Sequence, residues 1–283
     1  MEKIRKGDIV GRKSYGKDIL FSVKNIINTP KGKLVILRGI IDRIEADSYI
    51  EDLEKMDKKY IKEKLEYFNK RADKRLVEMR EYKKEKIYKN INDKRIVDKL
   101  LTGKILHLDG DKKYSEKSFR YYKKLGLNVI VKNIPEYKQP KVVYQLLKIY
   151  RPDILVITGH DGMIKKGTGY YDLYNYRNSR YFIETVKEAR RYDKENGKNL
   201  VIFAGACQSY FEAIMSAGAN FASSPARILI DFLDPLIVAE TIALTERYKY
   251  VTIDDIASEL RDGKNGVSGV GANGKMIKIP QID

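Results

Sequence analysis

The residues with the scarcest chemistry in this chain sit in three short runs. Its 283 residues include one cysteine, Cys207, and two histidines, His107 and His160. They occur in Leu-His-Leu-Asp-Gly-Asp (106–111), Ile-Thr-Gly-His-Asp-Gly (157–162) and Phe-Ala-Gly-Ala-Cys-Gln-Ser (203–209), each inside or just after an apolar stretch. A thiol and an imidazole brought together suit nucleophilic catalysis: the imidazole takes the thiol proton and later returns it to a leaving group. Taken singly, a lone cysteine is more often a small buried hydrophobe. The coincidence favours a site, because both residues follow buried runs and are flanked by small residues that let a substrate reach the backbone. His107 lies between two leucines and two residues before its strand end, so it is expected to be half-buried and not the base. One cysteine and two histidines cannot make a four-ligand Cys/His zinc site, and no HExxH run exists, so neither metal nor cofactor is assigned. Gly269 to Gly274 spells GxGxxG without the strand before it and helix after it that a dinucleotide site needs, and reads as a flexible loop bordering the cleft.

These residues must be positioned by the elements around them. The apolar runs at 105–108, 127–131, 153–158 and 200–205 alternate with helix-like stretches at 115–125, 139–150 and 179–195. That rhythm predicts an α/β domain over 101–283, a doubly wound, mostly parallel sheet with helices on both faces. Ligands of such sheets bind beyond the carboxyl ends of the strands, where His160 and Cys207 lie. Residues 1–50 show short alternating runs broken by Gly7, Gly11, Gly16 and Pro30, which suits a small five-stranded, SH3-like β-barrel. Residues 51–100 are rich in Glu, Lys, Arg and Tyr and hold no glycine or proline, reading as a charged helical arm with a solvated surface.

The net charge of +17 brings nucleic acid into consideration as a partner. Basic residues are interleaved with acids around the arm, however, so a basic binding protein on an inactive scaffold is the alternative reading, marked by steep salt dependence. No apolar run is long enough to cross a membrane, and a single cysteine forms no internal disulfide, so a cytoplasmic chain is expected.

Chain order separates the cysteine hydrolases. Papain-like enzymes and glutamine amidotransferases place the histidine after the cysteine, and no histidine follows Cys207. His160 lies 47 residues upstream (207 less 160), close to the separation of about 50 in caspases. The blocks ILVITGHDG and LVIFAGACQS resemble the clan CD cysteine peptidases: caspases, legumain, clostripain and gingipains. Asp161 is inserted in the usual His-Gly, and Ser209 replaces the glycine two residues after the caspase cysteine. Over nearly its whole length the chain is more similar to the YabG sporulation peptidases. GDIVGRKSYGKDILF, LHLDGD, RPDILVITGHDGM, FAGACQSYFEAIMSAGANFASSP and the VSGVG tail carry that similarity.

The resemblance implies a caspase-like sheet and a mother-cell enzyme of endospore formers that processes spore coat and spore-surface proteins. It further implies Cys207 as nucleophile and His160 as base, with the amide of Cys207 and that of Asp161 or Gly162 holding the oxyanion. In clan CD relatives the end of the first core strand lines the pocket for the residue before the cut, so Asp109 or Asp111 is expected to pair with a substrate Arg, or less well Lys. The alternative for Asp-Gly-Asp is ordinary turn chemistry. A preference for arginine would make the basic arm a target of self-cleavage. An activated thiol should also react with an alkylator faster than an unfolded control. The barrel would bind substrate or dock the enzyme on the spore surface, and a coat component that has lost turnover is a third reading.

Overall fold

A computed structural model describes residues 3–91, 99–164 and 169–279. Strands β1 (Ile9–Arg12), β2 (Phe21–Thr29), β3 (Gly32–Gly39), β4 (Glu45–Tyr49) and β5 (Leu53–Lys55) form an antiparallel sheet in the order β4-β3-β2-β1-β5. Period-two alternation sends Phe21, Val23, Val35 and Leu37 to one face, where they meet Val10, Ile44 and Leu53. That cluster does not close on itself: it also takes in Cys207 and Ile230 from the second unit. The first sheet is packed directly against the cysteine.

Helix α1 (Lys58–Ile91) follows. Phe68, Ala72 and Leu76 recur every fourth residue and are buried against the second unit, while Arg71 reaches Asp231 at 2.7 Å and Asp73 accepts from the Tyr121 hydroxyl at 3.0 Å. The helix is therefore docked along this one stripe, while most of its described side chains are exposed, as expected from its charge. The end of the expected arm, residues 92–98, lies outside the described residues.

Beyond β6 (Lys99–Leu101) come β7 (Ile105–Asp109), α2 (Lys112–Lys124), β8 (Val129–Asn133), α3 (Gln139–Tyr150), β9 (Ile154–Thr158), α4 (Ser179–Glu195), β10 (Val201–Ala204), α5 (Phe211–Ser216), β11 (Phe221–Ser223), α6 (Asp234–Leu244) and the short β12 (Tyr250–Val251). β13 (Val267–Gly269), β14 (Ala272–Asn273) and β15 (Ile277–Ile279) are the last strands of the described residues, β15 pairing with β6. The six-stranded sheet runs β13-β11-β10-β9-β7-β8, parallel throughout except for β13. Every residue of β7, β9 and β10 is buried because both faces are covered. Ile105, Ile154, Val156 and Phe203 face α1, α2 and α6, and their neighbours Leu106, Leu155, Ile157 and Ile202 face α3 and α4.

The sheet order reverses between β7 and β9, a switch point that opens a crevice beyond the carboxyl ends of these strands. The GVGANG run is not a loop over that crevice. Gly269 ends the edge strand β13, where a Cβ would stand 2.1 Å from the Asn220 carbonyl, so glycine here allows backbone contact rather than motion.

Phe232 joins the layers, its ring lying 5.8, 6.0 and 5.4 Å from those of Phe68, Tyr114 and Tyr121. Phe232→Ala should cost about 3 to 5 kcal/mol of stability, read by urea denaturation, because the void opens between three elements that cannot all collapse into it.

Candidate active site

His160 and Cys207 lie just past the ends of the adjacent parallel strands β9 and β10. Their loops are joined through Asp161. Its buried carboxylate accepts from Ser209 Oγ at 2.9 Å, Ser179 Oγ at 2.5 Å, and the amides of Gly162 and Asn178 at 2.9 and 2.8 Å. Ser209 also accepts from the Ala206 amide at 2.9 Å, fixing the turn that carries Cys207. Gln208 completes that turn in the left-handed region, φ 56°, and its side-chain oxygen accepts from the Met163 amide at 3.3 Å. Burial pushes the Asp161 carboxyl up to about 6, with its hydrogen bonds opposing.

The His160 tautomer follows from its partner. Nε2 lies 3.1 Å from the Gly39 carbonyl, which can only accept, so Nε2 carries the proton and Nδ1 keeps its lone pair. Nδ1 is buried and makes no hydrogen bond. The His160 backbone is held by Glu136, whose Oε1 accepts from its amide at 2.8 Å and from Arg38 at 2.5 Å. Glu136 fits there because Gly110 and Gly159 leave room: a Cβ on either would stand 2.2 or 2.5 Å from its carboxylate. Sequence reasoning missed Glu136, which lies in a polar turn. The paired glycines at two strand ends were the available signal.

Cys207 is fully buried, and burial pushes its thiol up to about 12; the imidazole of His160 is lowered well below its usual value, burial again being the main cause. The resting groups are a neutral thiol and a neutral imidazole. The thiol accepts from the Ile230 amide at 3.4 Å. It is enclosed by the loop joining β3 to β4, whose Arg43 amide also points at the sulfur and whose Ile44 packs in its cluster. Faster alkylation than an unfolded control is therefore not expected of the intact chain.

The two candidate aspartates separate. Asp111 caps α2, accepting from the amides of Lys113 and Tyr114, which is the turn-chemistry reading. Asp109 is wholly buried, 2.8 Å from Nη1 of Arg43, itself 1% exposed, with the guanidinium 4.6 Å from the centre of the Tyr114 ring. Close as this ion pair is, none of the three guanidinium nitrogens has the alignment of a hydrogen bond. A relay holds the carboxylate: the Tyr122 hydroxyl donates to His107 Nδ1 (3.3 Å), His107 Nε2 to Thr158 Oγ1 (2.7 Å), and Thr158 to Asp109 Oδ2 (2.9 Å). Both nitrogens of His107 are thus engaged, and it is fully rather than half-buried.

Among the proposed oxyanion donors, the Asp161 amide already holds a carbonyl, that of Arg43, at 3.2 Å. The Gly162 amide is taken by the Asp161 carboxylate.

The chain is 39% identical over 294 residues to the sporulation-specific protease YabG of Bacillus subtilis (strain 168), covering 95% of this chain and 94% of the relative. Among solved structures, the receiver domain of the histidine kinase CKI1 from Arabidopsis thaliana covers 41% of this chain and 79% of its own, at 15% identity and a TM-score of 0.27, too low to bear on function. The family model described as YabG peptidase U57 matches residues 5–280, and the chain belongs to that family.

Proposed function

We propose that this protein is a cysteine endopeptidase of sporulation that cuts after arginine, with Cys207 as nucleophile and His160 as base. The observation that carries the reading is an arginine of the chain itself: Arg43 has its side chain on Asp109, its carbonyl on the Asp161 amide, and its main chain against Cys207. That is the set of contacts a peptide needs on the acyl side of a scissile bond. Sγ would attack the carbonyl carbon as its proton moves to Nδ1 of His160; the same proton then leaves with the amine. The amides of Asp161 and Cys207 would hold the oxyanion, a contribution commonly worth about 3 to 4 kcal/mol per donor.

The sheet order fits a caspase-like core, and the meander of β1 to β4 closed onto β5 fits an SH3-like module. The relative's name favours a role in sporulation, and on this reading the substrates are spore coat and spore-surface proteins, met in the mother cell and on the coat. No described helix is long and apolar enough to cross a membrane. Against the basic-binding alternative, Arg38, Arg71, Arg177 and Arg227 are each paired with an acid.

Cys207→Ala and His160→Ala should each lower cleavage of an arginyl reporter peptide by at least about a hundredfold with an unchanged far-UV CD spectrum, whereas His107→Gln should retain turnover. Equal loss in all three would reassign the base. Asp109→Asn should lower the preference for arginine over a neutral residue by about a hundredfold, the scale of losing one partner of a buried ion pair.

Asp161 gives a separate test on stability. A carboxyl raised from 3.8 to about 6 in the folded state makes folding weaken as pH rises through that window, because the folded chain binds more protons there. Asp161→Asn removes the titration while keeping a planar group among the same partners. Its stability relative to wild type should rise by about 2 kcal/mol between pH 4 and pH 7 in urea denaturation, and a pH-independent difference would contradict the burial argument.

A further inference from the structure

The loop between β3 and β4 runs Gly39-Ile40-Ile41-Asp42-Arg43-Ile44, and almost nothing in it behaves as a surface turn. Arg43 and Ile44 are buried, Ile41 packs on the core of the second unit, and Asp42 is half-buried. On the leaving side of Arg43, Ile44 pairs in parallel with Asp161, and the Glu45 amide donates to the Asp161 carbonyl at 2.8 Å. Gly162 permits this approach, since a Cβ there would stand 2.2 Å from the Glu45 carbonyl. The chain is thus held on both sides of the Arg43 carbonyl, with the Cys207 sulfur against the Arg43 amide and the unpaired Nδ1 of His160 carried on the loop after the neighbouring strand.

An architectural role does not account for this placement. A loop that only had to fill the crevice would be more stable with an apolar residue in place of a buried guanidinium whose nitrogens lack aligned hydrogen bonds. Arginine is the residue to keep there if it is meant to be read.

Resting on the function proposed above, we propose that this loop is an internal substrate: it occupies the arginine pocket, holds the intact chain latent, and is cut first by its own active site at the Arg43–Ile44 bond. Sγ of Cys207 adds to the Arg43 carbonyl carbon, its proton passing to His160; the carbon–nitrogen bond to Ile44 breaks as His160 protonates the departing amine. Water then hydrolyses the thioester, restoring the thiol and leaving a carboxylate on Arg43. The cut opens the site because its products do not suit their surroundings. The new carboxylate appears next to the Asp42 carboxyl, and the new ammonium of Ile44 lies in the apolar cluster of Cys207 and Ile230, so both ends withdraw toward water. Gly39 is the last residue of β3 and lies outside the cut, so its carbonyl stays on His160.

The test follows the full-length chain by intact mass and N-terminal sequencing while an arginyl reporter peptide is turned over. Wild type should yield a fragment ending at Arg43 and one beginning at Ile44, with a lag in peptide turnover that ends as the cut completes; Cys207→Ala should remain whole. Arg43→Gln should lose the cut at this bond, and Arg43→Lys, which preserves the buried charge if Gln impairs folding, should slow it at least tenfold. Full peptide turnover without a lag and with the 43–44 bond intact would overturn the internal substrate and leave the arginine peptidase standing. Cleavage confined to residues 60–100 would do the same. Wild type that cuts neither the peptide nor itself would overturn both.

Discussion

A guanidinium cannot be buried without an anion, and the meeting of Arg43 with Asp109 organises much of this molecule. The carboxylate stands at the end of β7, where the sheet reverses its order, and the cation comes from a different sheet. Holding them together requires the first sheet to lie across the crevice, which draws Ile44 and its neighbours over Cys207. Removing either charge alone leaves the other stranded and buried, so neither partner can be lost singly without a large penalty, although an apolar contact of equal area would hold the two sheets at least as firmly.

Desolvation is the second consequence of that closure. It disfavours thiolate and imidazolium alike, so the proposed dyad rests uncharged, and charge separation would have to be produced in the reaction itself. The protein compensates by fixing positions: Asp161 ties the loops after β9 and β10 through two serines, and Glu136 pins the His160 backbone between two glycines. Little reorganisation then remains when the proton moves.

How much of this is legible in the sequence depends on the range of the interaction. Doubly buried strands announce themselves as unbroken apolar runs, so the positions of His160, Cys207 and Asp109 at strand ends follow from local pattern. The separate fates of Asp109 and Asp111 do not, because one is chosen by a partner in another sheet and the other by the helix it caps. The docking of α1 shows the same limit: Phe68, Ala72 and Leu76 form a narrow stripe that the surrounding Lys and Glu outnumber. Glycine is ambiguous for a physical reason, since mobility and close backbone approach require the same missing Cβ, and Gly269 is there for the second. Arg43 is the extreme case, for nothing in GIIDRI marks it as buried.

The group that orients His160 is a peptide carbonyl, that of Gly39. Every residue supplies one, so no side-chain exchange can delete it, and an alanine scan of the polar residues would return a dyad with nothing behind it. Dependence on this oxygen would show only when the chain is shortened or its main chain altered. Residues 1–50 are therefore not independent of the candidate site: a truncation chosen by domain boundaries alone would take away the acceptor that holds the His160 imidazole, a loss no side-chain scan would reveal.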